Sequence, residues 1–233
     1  KIRANLSAAG ANEVLTYSFV HGNLLEKAGQ DKAKAYQLSN ALSPDLQYYR
    51  LSLIPSLLDK VHGNIKAGYG EFALFELGKG HYFGESDEDE PEIPNEDNHL
   101  ALVVAANDKQ RPKGAPYYLA RKYLAQVLDL QNVRLIPLKD FDLATDDWGK
   151  QLTSAYEPER SAVIVLEKQI WGVVGEFKAS VSRALKLPVF TAGFEVHMDI
   201  IVAEQKDYVS LPKYPKVEQD ISLKVPADLS YQE

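Results

Sequence analysis

Two apolar runs separated by a polar interruption dominate the hydrophobic pattern of the chain. The first places Phe72, Leu74 and Leu77 near one face of a strand, and the second is continuously apolar over residues 100–106. Short apolar runs with a period of two residues are typical of strands. Residues 85–97, between the runs, are acidic and contain prolines. The pattern predicts an antiparallel strand pair inside a sheet, joined by a long acidic loop.

Apolar residues recur at three- and four-residue spacing in two longer segments, which predicts two helices. The first covers residues 52–66, where Ser52 is placed to cap the helix and Pro55 is tolerated in its first turn. The second covers residues 117–130. Shorter helices are predicted at 1–10, 23–28 and 178–186.

The remaining apolar runs predict strands, and most of them follow one another closely. Residues 161–167 and 169–177 leave room for only a tight turn at Glu167 and Lys168. Residues 139–150 are polar and predict a loop. The other predicted strands cover residues 13–20, 35–38, 132–138 and 188–202. This order predicts an α+β fold, with a mostly antiparallel sheet flanked by helices.

The character of the chain changes at Lys206. Prolines punctuate residues 208–215, and residues 217–225 predict a strand whose pairing partners are not in the sequence. We therefore predict a core domain at 1–205, followed by a linker and the first strand of another domain at 206–233.

Charge and composition exclude several functions. The formal net charge is −7, and residues 85–97 contribute eight acids and no base, so the remainder is close to neutral. A general basic field for nucleic acid is therefore absent, although a local patch stays open. The chain has no cysteine, which excludes disulfides and thiolate chemistry. No long apolar run or signal peptide is present, which predicts a soluble, cytoplasmic protein without membrane contact.

A few charged residues admit more than one interpretation. Arg50 is either paired with a carboxylate or simply solvated. For Arg160, a structural role in a turn, with hydrogen bonds to backbone carbonyls, is favoured over a functional role. The acidic loop is interpreted as a solvated segment rather than a calcium site, because it lacks the ligand spacing of calcium-binding loops. His81 and His99 flank that loop, but zinc would need a third ordered ligand.

Five segments, taken in order, resemble the β subunits of bacterial phenylalanyl-tRNA synthetases, whose core is of the class II aminoacyl-tRNA synthetase type. They are AAGANEVLTYSFV at 8–20, LSPDLQYYRLSLIPSLL at 42–58, FALFELGKGHYF at 72–83, YEPERSAVIVLEKQIWGVVGEF at 156–177 and LPKYPKVEQDISLKV at 211–225. The resemblance implies a class II synthetase-like core and, at 206–233, the start of a ferredoxin-like anticodon-binding domain. Glu159 stands where the family usually has glycine, and Gln219 stands where it usually has arginine.

The resemblance also implies that this core is not catalytic. Class II enzymes hold ATP phosphates with arginines from their second and third motifs, because bidentate cations neutralise the charge that develops during adenylation. Here Tyr82 and His197 occupy those degenerate motif positions, and residues 191–202 contain no arginine or lysine. We expect no catalytic residue and no cofactor or metal ligand in this chain. ATP and Mg²⁺ would be used by the whole enzyme at its α subunit.

The first motif implies the partner. In the family this core packs against the catalytic α subunit of an (αβ)2 enzyme, and tRNA is reached through the whole complex. We expect the contact in the segment that resembles the first class II motif, Leu6 through Phe19. The predicted contact residues are Leu6, Val14, Thr16, Tyr17 and Phe19. An exposed apolar face there would also allow the isolated chain to form a homodimer.

Two other functional classes remain open. An independent class II-like ligase would need arginines in the two phosphate-binding motifs. A stand-alone RNA-binding or interaction module would need a basic face and would bind with strong salt dependence.

Overall fold

The computed structural model describes residues 1–43, 45–84, 93–144, 146–202 and Lys224. Their strands are β1 (Asn12–Glu13), β2 (Phe19–Val20), β3 (Tyr48–Tyr49), β4 (Glu71–Gly80), β5 (Asp97–Ala106), β6 (Arg134–Pro137), β7 (Tyr156–Leu166), β8 (Gln169–Phe177) and β9 (Phe190–His197). Their helices are α1 (Ile2–Ala8), α2 (Gly22–Lys27), α3 (Ile54–Lys66), α4 (Pro116–Leu124), α5 (Asp147–Thr153), α6 (Ala179–Leu185) and α7 (Asp199–Val202).

Seven strands form one mixed sheet in the order β1-β4-β5-β9-β8-β7-β6. The short β1 is parallel to β4, and the other neighbouring pairs are antiparallel. Strands β2 and β3 pair separately. The predicted α+β class and the predicted β4–β5 pair are confirmed, with Phe75 opposite Leu102.

The continuous apolar run of β5 follows from burial on both faces. Ala101, Val103 and Ala105 pack in one core with α3 and α6, whereas Leu100 and Leu102 pack in a second core with α1, α4 and α7. Every residue from His99 to Ala106 is buried. The sheet therefore has a helical layer on each side.

Helix α3 is anchored to the sheet by a buried carboxylate. The backbone N–H groups of its N-cap residue, Leu53, and of its first residue, Ile54, donate to the two oxygens of Glu195 on β9 at 2.9 and 3.0 Å. The same carboxylate lies 2.7 Å from Nδ1 of His99 on β5. The prediction that Ser52 caps this helix is wrong, because Ser52 Oγ accepts a hydrogen bond from Gln30 Nε2 instead. Anions stabilise helix N-termini, and here the anion comes from a distant strand.

Several predicted boundaries are wrong. The predicted loop at 139–150 contains the start of α5, because Oδ1 of Asp146 accepts from Gly149 N at 2.7 Å and caps that helix. Helix α4 ends at Leu124, six residues before the predicted end, and a tightened turn follows it. The predicted strand at 188–202 ends at His197, and α7 begins at Asp199.

The predicted domain at 206–233 lies outside the described residues, apart from Lys224, and so do residues 85–92 of the acidic loop. Within the described part of the chain, no helix is long and apolar enough to cross a membrane.

Replacing Glu195 with glutamine tests the anchor of α3. The amide keeps the shape but offers one neutral acceptor to two backbone donors, so the free energy of unfolding should fall by roughly 2–3 kcal/mol. Urea unfolding of the chain measures it. The matched control is Glu159→Gln, where the side chain is 66% exposed and the expected change is small. Equal effects of the two substitutions would contradict the anchoring role.

Candidate functional site

The segment at residues 14–19, which we call the contact segment, leaves the large sheet and joins the small one. Val14 N donates to Phe75 O, continuing the β1–β4 pairing, and Ser18 O accepts from Arg50 N beside β3. The predicted single strand at 13–20 is therefore split into β1 and β2. Side chains still alternate: Leu15 and Tyr17 point outward, 90% and 58% exposed, whereas Thr16 points inward.

A buried ion pair holds the contact segment against β4. Arg50 Nη1 donates to Glu76 Oε1 at 2.9 Å and to Thr16 Oγ1 at 2.7 Å, and Thr16 Oγ1 donates to Glu76 Oε2 at 2.6 Å. Arg50 Nε also donates to the carbonyl of Lys79 at 3.0 Å. The side chains of Arg50 and Glu76 are 3% and 0% exposed. Arg50 is thus paired rather than solvated, and its charge is already neutralised.

A row of aromatic rings runs from the surface to the interior behind the contact segment. Ring centroids are 5.5 Å apart for Tyr17 and Phe19, 4.6 Å for Phe19 and Tyr49, and 4.4 Å for Tyr49 and His81. Burial lowers the pKa of His81, which favours the neutral imidazole. The row therefore ends in an uncharged ring and supports the exposed Tyr17 from behind.

A cavity of about 490 Å³ opens beside the contact segment. Tyr17, Phe19, Leu24 and Leu46 give it apolar walls, and residues of α2 and the first turns of α3 close it. Most of the remaining lining is polar or charged and includes Lys27, Asp59 and Lys60. An exposed aromatic residue beside a recess with a polar rim is a composition that protein interfaces favour.

The predicted contact residues do not all face outward. Leu6 is fully buried in the core between α1 and the sheet, so it cannot reach a partner in this fold. Val14 and Phe19 are partly buried, and Thr16 belongs to the ion-pair cluster. Tyr17 is exposed as a contact requires. Leu15, which the sequence interpretation did not name, is exposed as well, and the alternation of the segment itself would have placed it on the outer face.

The end of β4, where the second motif would supply an arginine, has no exposed cation in the aligned position. Tyr82 is only 9% exposed and packs in a small apolar cluster with Val20, Leu25, Ala35 and Leu51. Lys79, three residues earlier, pairs with Glu96. A buried phenol does not fit an ATP phosphate, because it offers no positive charge.

The end of β9, where the third motif would supply an arginine, holds His197 between two carboxylates. Its Nε2 lies 3.6 Å from Asp97 Oδ1, and its Nδ1 lies 3.6 Å from Asp199 Oδ2. The nearby carboxylate of Asp97 raises the pKa of His197, and the same contact lowers the pKa of Asp97. Nδ1 of His197 also accepts from Asp199 N at 3.3 Å, and the two neighbouring carboxylates repel anions, so this position does not fit a phosphate either.

Arg160 lies in a strand rather than in the predicted turn. Strand β7 already begins at Tyr156, and a register shift between Tyr156 and Ser161 absorbs the irregularity. Arg160 Nε donates to Glu176 Oε2 on β8 at 2.7 Å, so its partner is a carboxylate and not a backbone carbonyl. Glycine is not needed at position 159 because no turn forms there.

A protein-family model described as the phenylalanyl tRNA synthetase beta chain CLM domain matches residues 1–198. The chain belongs to this family. The phenylalanine–tRNA ligase beta subunit of Listeria monocytogenes serovar 1/2a is 26% identical over 238 residues, covering 99% of this chain and 28% of that protein. The corresponding subunit of Streptococcus pyogenes serotype M28 is 22% identical and covers 100% and 28%. The chain thus spans little more than a quarter of these relatives.

A solved structure with the same fold is that of PylSc, a pyrrolysyl tRNA synthetase from Desulfitobacterium hafniense. It superposes with a TM-score of 0.62 at 12% identity, covering 86% of this chain and 65% of that one. This likeness concerns the fold alone, and it confirms the class II synthetase-like fold that the resemblance to phenylalanyl-tRNA synthetase β subunits implied.

The cluster behind the contact segment is tested by Arg50→Met. This substitution leaves Glu76 buried without its cation, so the free energy of unfolding should fall by about 3–5 kcal/mol. The double substitution Arg50→Met with Glu76→Leu should be more stable than Arg50→Met, since it removes the orphaned charge. Lys60→Met is the control, because its pair with Asp59 is about half exposed and should contribute under about 1 kcal/mol. A double variant less stable than the single one would contradict this account.

The His197–Asp97 contact predicts a pH dependence. Because the pKa of His197 is raised above its ordinary value of 6.5, protonated His197 stabilises the fold below pH 6.5. This stabilisation is lost as the pH rises through the folded-state pKa. Because the pKa of Asp97 is lowered from its ordinary value of 3.8, ionised Asp97 stabilises the fold above pH 3.8. This stabilisation is lost as the pH falls through the folded-state pKa. His197→Gln should therefore reduce the melting temperature more at about pH 5.5 than at about pH 8.5. In an Asp97→Asn background the pH dependence should shrink, and an unchanged dependence would count against the contact.

Proposed function

We propose that the chain is a non-catalytic structural domain of a phenylalanyl-tRNA synthetase β subunit, which packs against the catalytic α subunit through its contact segment. The whole (αβ)2 enzyme would attach phenylalanine to tRNA in the cytoplasm. ATP and Mg²⁺ would act at the α subunit, and this domain would meet tRNA only as part of the complex. Family membership and the names of the relatives support this assignment.

One observation carries the proposed contact: the contact segment exposes Leu15 and Tyr17 while its inner side is fixed by a buried ion pair. Leu15 and Tyr17 lie on the same face of the segment, and exposed apolar patches mark interaction sites, whereas a rigid backing reduces the entropy lost on binding. The neighbouring cavity adds a recess that a partner side chain can fill. Leu15 therefore takes the place of Leu6 in the proposed interface.

The proposed lack of catalysis has separate support. Tyr82 is buried in an apolar cluster, and His197 lies between two carboxylates, so neither of the two motif positions carries an arginine that could hold a phosphate. An independent class II-like ligase would need such cations. A stand-alone RNA-binding module has less support still, because the chain carries a net charge of −7.

Aspartate substitutions test the contact. Leu15→Asp and Tyr17→Asp should each weaken binding of the chain to the α subunit of the same organism by about tenfold or more, because a charge replaces an apolar anchor. Light scattering and calorimetry measure the complex and its affinity. Tyr118→Asp is the matched control, since Tyr118 is a tyrosine on α4 that is 69% exposed. Equal affinities of Tyr17→Asp and Tyr118→Asp would contradict the proposed surface.

Two further arms complete this experiment. If the chain alone forms a homodimer that the α subunit dissociates, the same surface is in use. Titration of ATP with Mg²⁺ into the chain alone should release no binding heat. Tight ATP binding combined with no affinity for the α subunit would overturn the proposal.

A further inference from the structure

A second cavity, of about 510 Å³, lies at the edge of the sheet where β9 ends and β5 and β8 begin. Its apolar walls are Trp148, Trp171, Phe141 and Ile170. Trp148 belongs to the capped helix α5, and Trp171 belongs to β8. Two indole rings on regular elements give the cavity a preformed aromatic surface.

Carboxylates provide most of the charge around these rings. Asp97, Asp142 and Asp146 line the cavity, together with the cationic side chain of Lys168 and with His197. Oδ1 of Asp142 accepts from Ala144 N at 2.8 Å, and Oδ1 of Asp146 accepts from Gly149 N at 2.7 Å. These bonds hold the carboxylates in place. Lys168 lies in the tight turn before β8 and is exposed.

We propose that this cavity binds a small organic cation, of the ammonium or guanidinium class. The face of an indole ring carries negative charge and attracts organic cations, and carboxylates nearby complete such a site. Among residues 1–43, 45–84, 93–144 and 146–202, no three side chains form a group suited to a metal ion. Phosphates are disfavoured, because three carboxylates outnumber the two basic groups.

The site goes beyond the proposed function and does not rest on it. His197, at the end of β9, stands where the resemblance placed a phosphate-binding arginine, and it lines this cavity. The same edge of the fold would therefore have changed its preference from an anion to a cation. The contact segment lies at another cavity, so α-subunit binding and cation binding can fail separately.

Intrinsic fluorescence offers a selective test, since the chain contains two tryptophans and both line the cavity. Tetramethylammonium, butylammonium and methylguanidinium chlorides are titrated into the chain at constant ionic strength, with sodium chloride as the reference. A saturable change in tryptophan emission is expected with the organic cations and not with sodium. A change that sodium reproduces, or saturable binding of ATP instead, would overturn the proposal.

A matched pair of variants locates the binding. Asp142→Asn keeps the oxygen that accepts from Ala144 N but removes the charge, so the affinity for butylammonium should fall about threefold to tenfold. Asp140→Asn removes the same charge from an exposed residue that does not line the cavity, and the affinity should not change. Thermal melts of both variants check that they are folded. Equal losses in the two variants would reduce the effect to general electrostatics and overturn the site.

The probes also separate two sources of the same chemistry. A free amine predicts that butylammonium binds and that a Gly-Lys-Gly peptide does not. A lysine side chain of a protein predicts that the peptide binds at least as tightly. Either result supports an organic-cation site, whereas binding of neither overturns it.

Discussion

The buried carboxylate of Glu195 fixes the relation between the sheet and its principal helix. It belongs to β9, accepts both leading N–H groups of α3, and touches His99 on β5. An ionised group without partners in this position would be strongly unfavourable, so the three elements must come together for any of them to be satisfied. Once α3 lies across the sheet, its apolar residues close one of the two cores.

The second buried charge, Glu76, performs a comparable task one strand away. Its partners Arg50 and Thr16 lie on β3's flank and on the contact segment, so β4 determines where that segment leaves the sheet. Buried ion pairs often contribute little net stability, and their better supported role is to select one arrangement over others. Here the selected arrangement turns Leu15 and Tyr17 outward and Thr16 inward.

The sequence predicted the parts of this fold that depend on local periodicity. The β4–β5 pair, helix α3 and the tight turn at Glu167 and Lys168 all have patterns that need no distant partner, and both turn residues adopt the positive φ that such a turn requires. The cap of α3 was wrong because its true partner, Glu195, is about 140 residues away. Helix α5 was missed because its apolar residues are few, although Asp146 before them is a readable N-terminal signal.

The candidate site shows the same division. The family resemblance predicted that Tyr82 and His197 stand where class II enzymes use arginines. Only the fold shows that Tyr82 is buried among apolar side chains and that His197 lies between two carboxylates. Leu6 was predicted at the surface and Leu15 was not named, because an exposed leucine and a core leucine are equally apolar in the sequence. Burial depends on which face of α1 meets the sheet, and that is a tertiary property.

The charge arrangement at the sheet edge has a physical consequence that sequence comparison alone does not give. Losing an arginine from a phosphate site removes affinity, but it does not by itself create a new preference. Asp97, Asp142 and Asp146 around two tryptophans go further, because they make the cavity attractive to charge of the opposite sign. The proposed non-catalytic domain would then combine a scaffold with a site of altered selectivity.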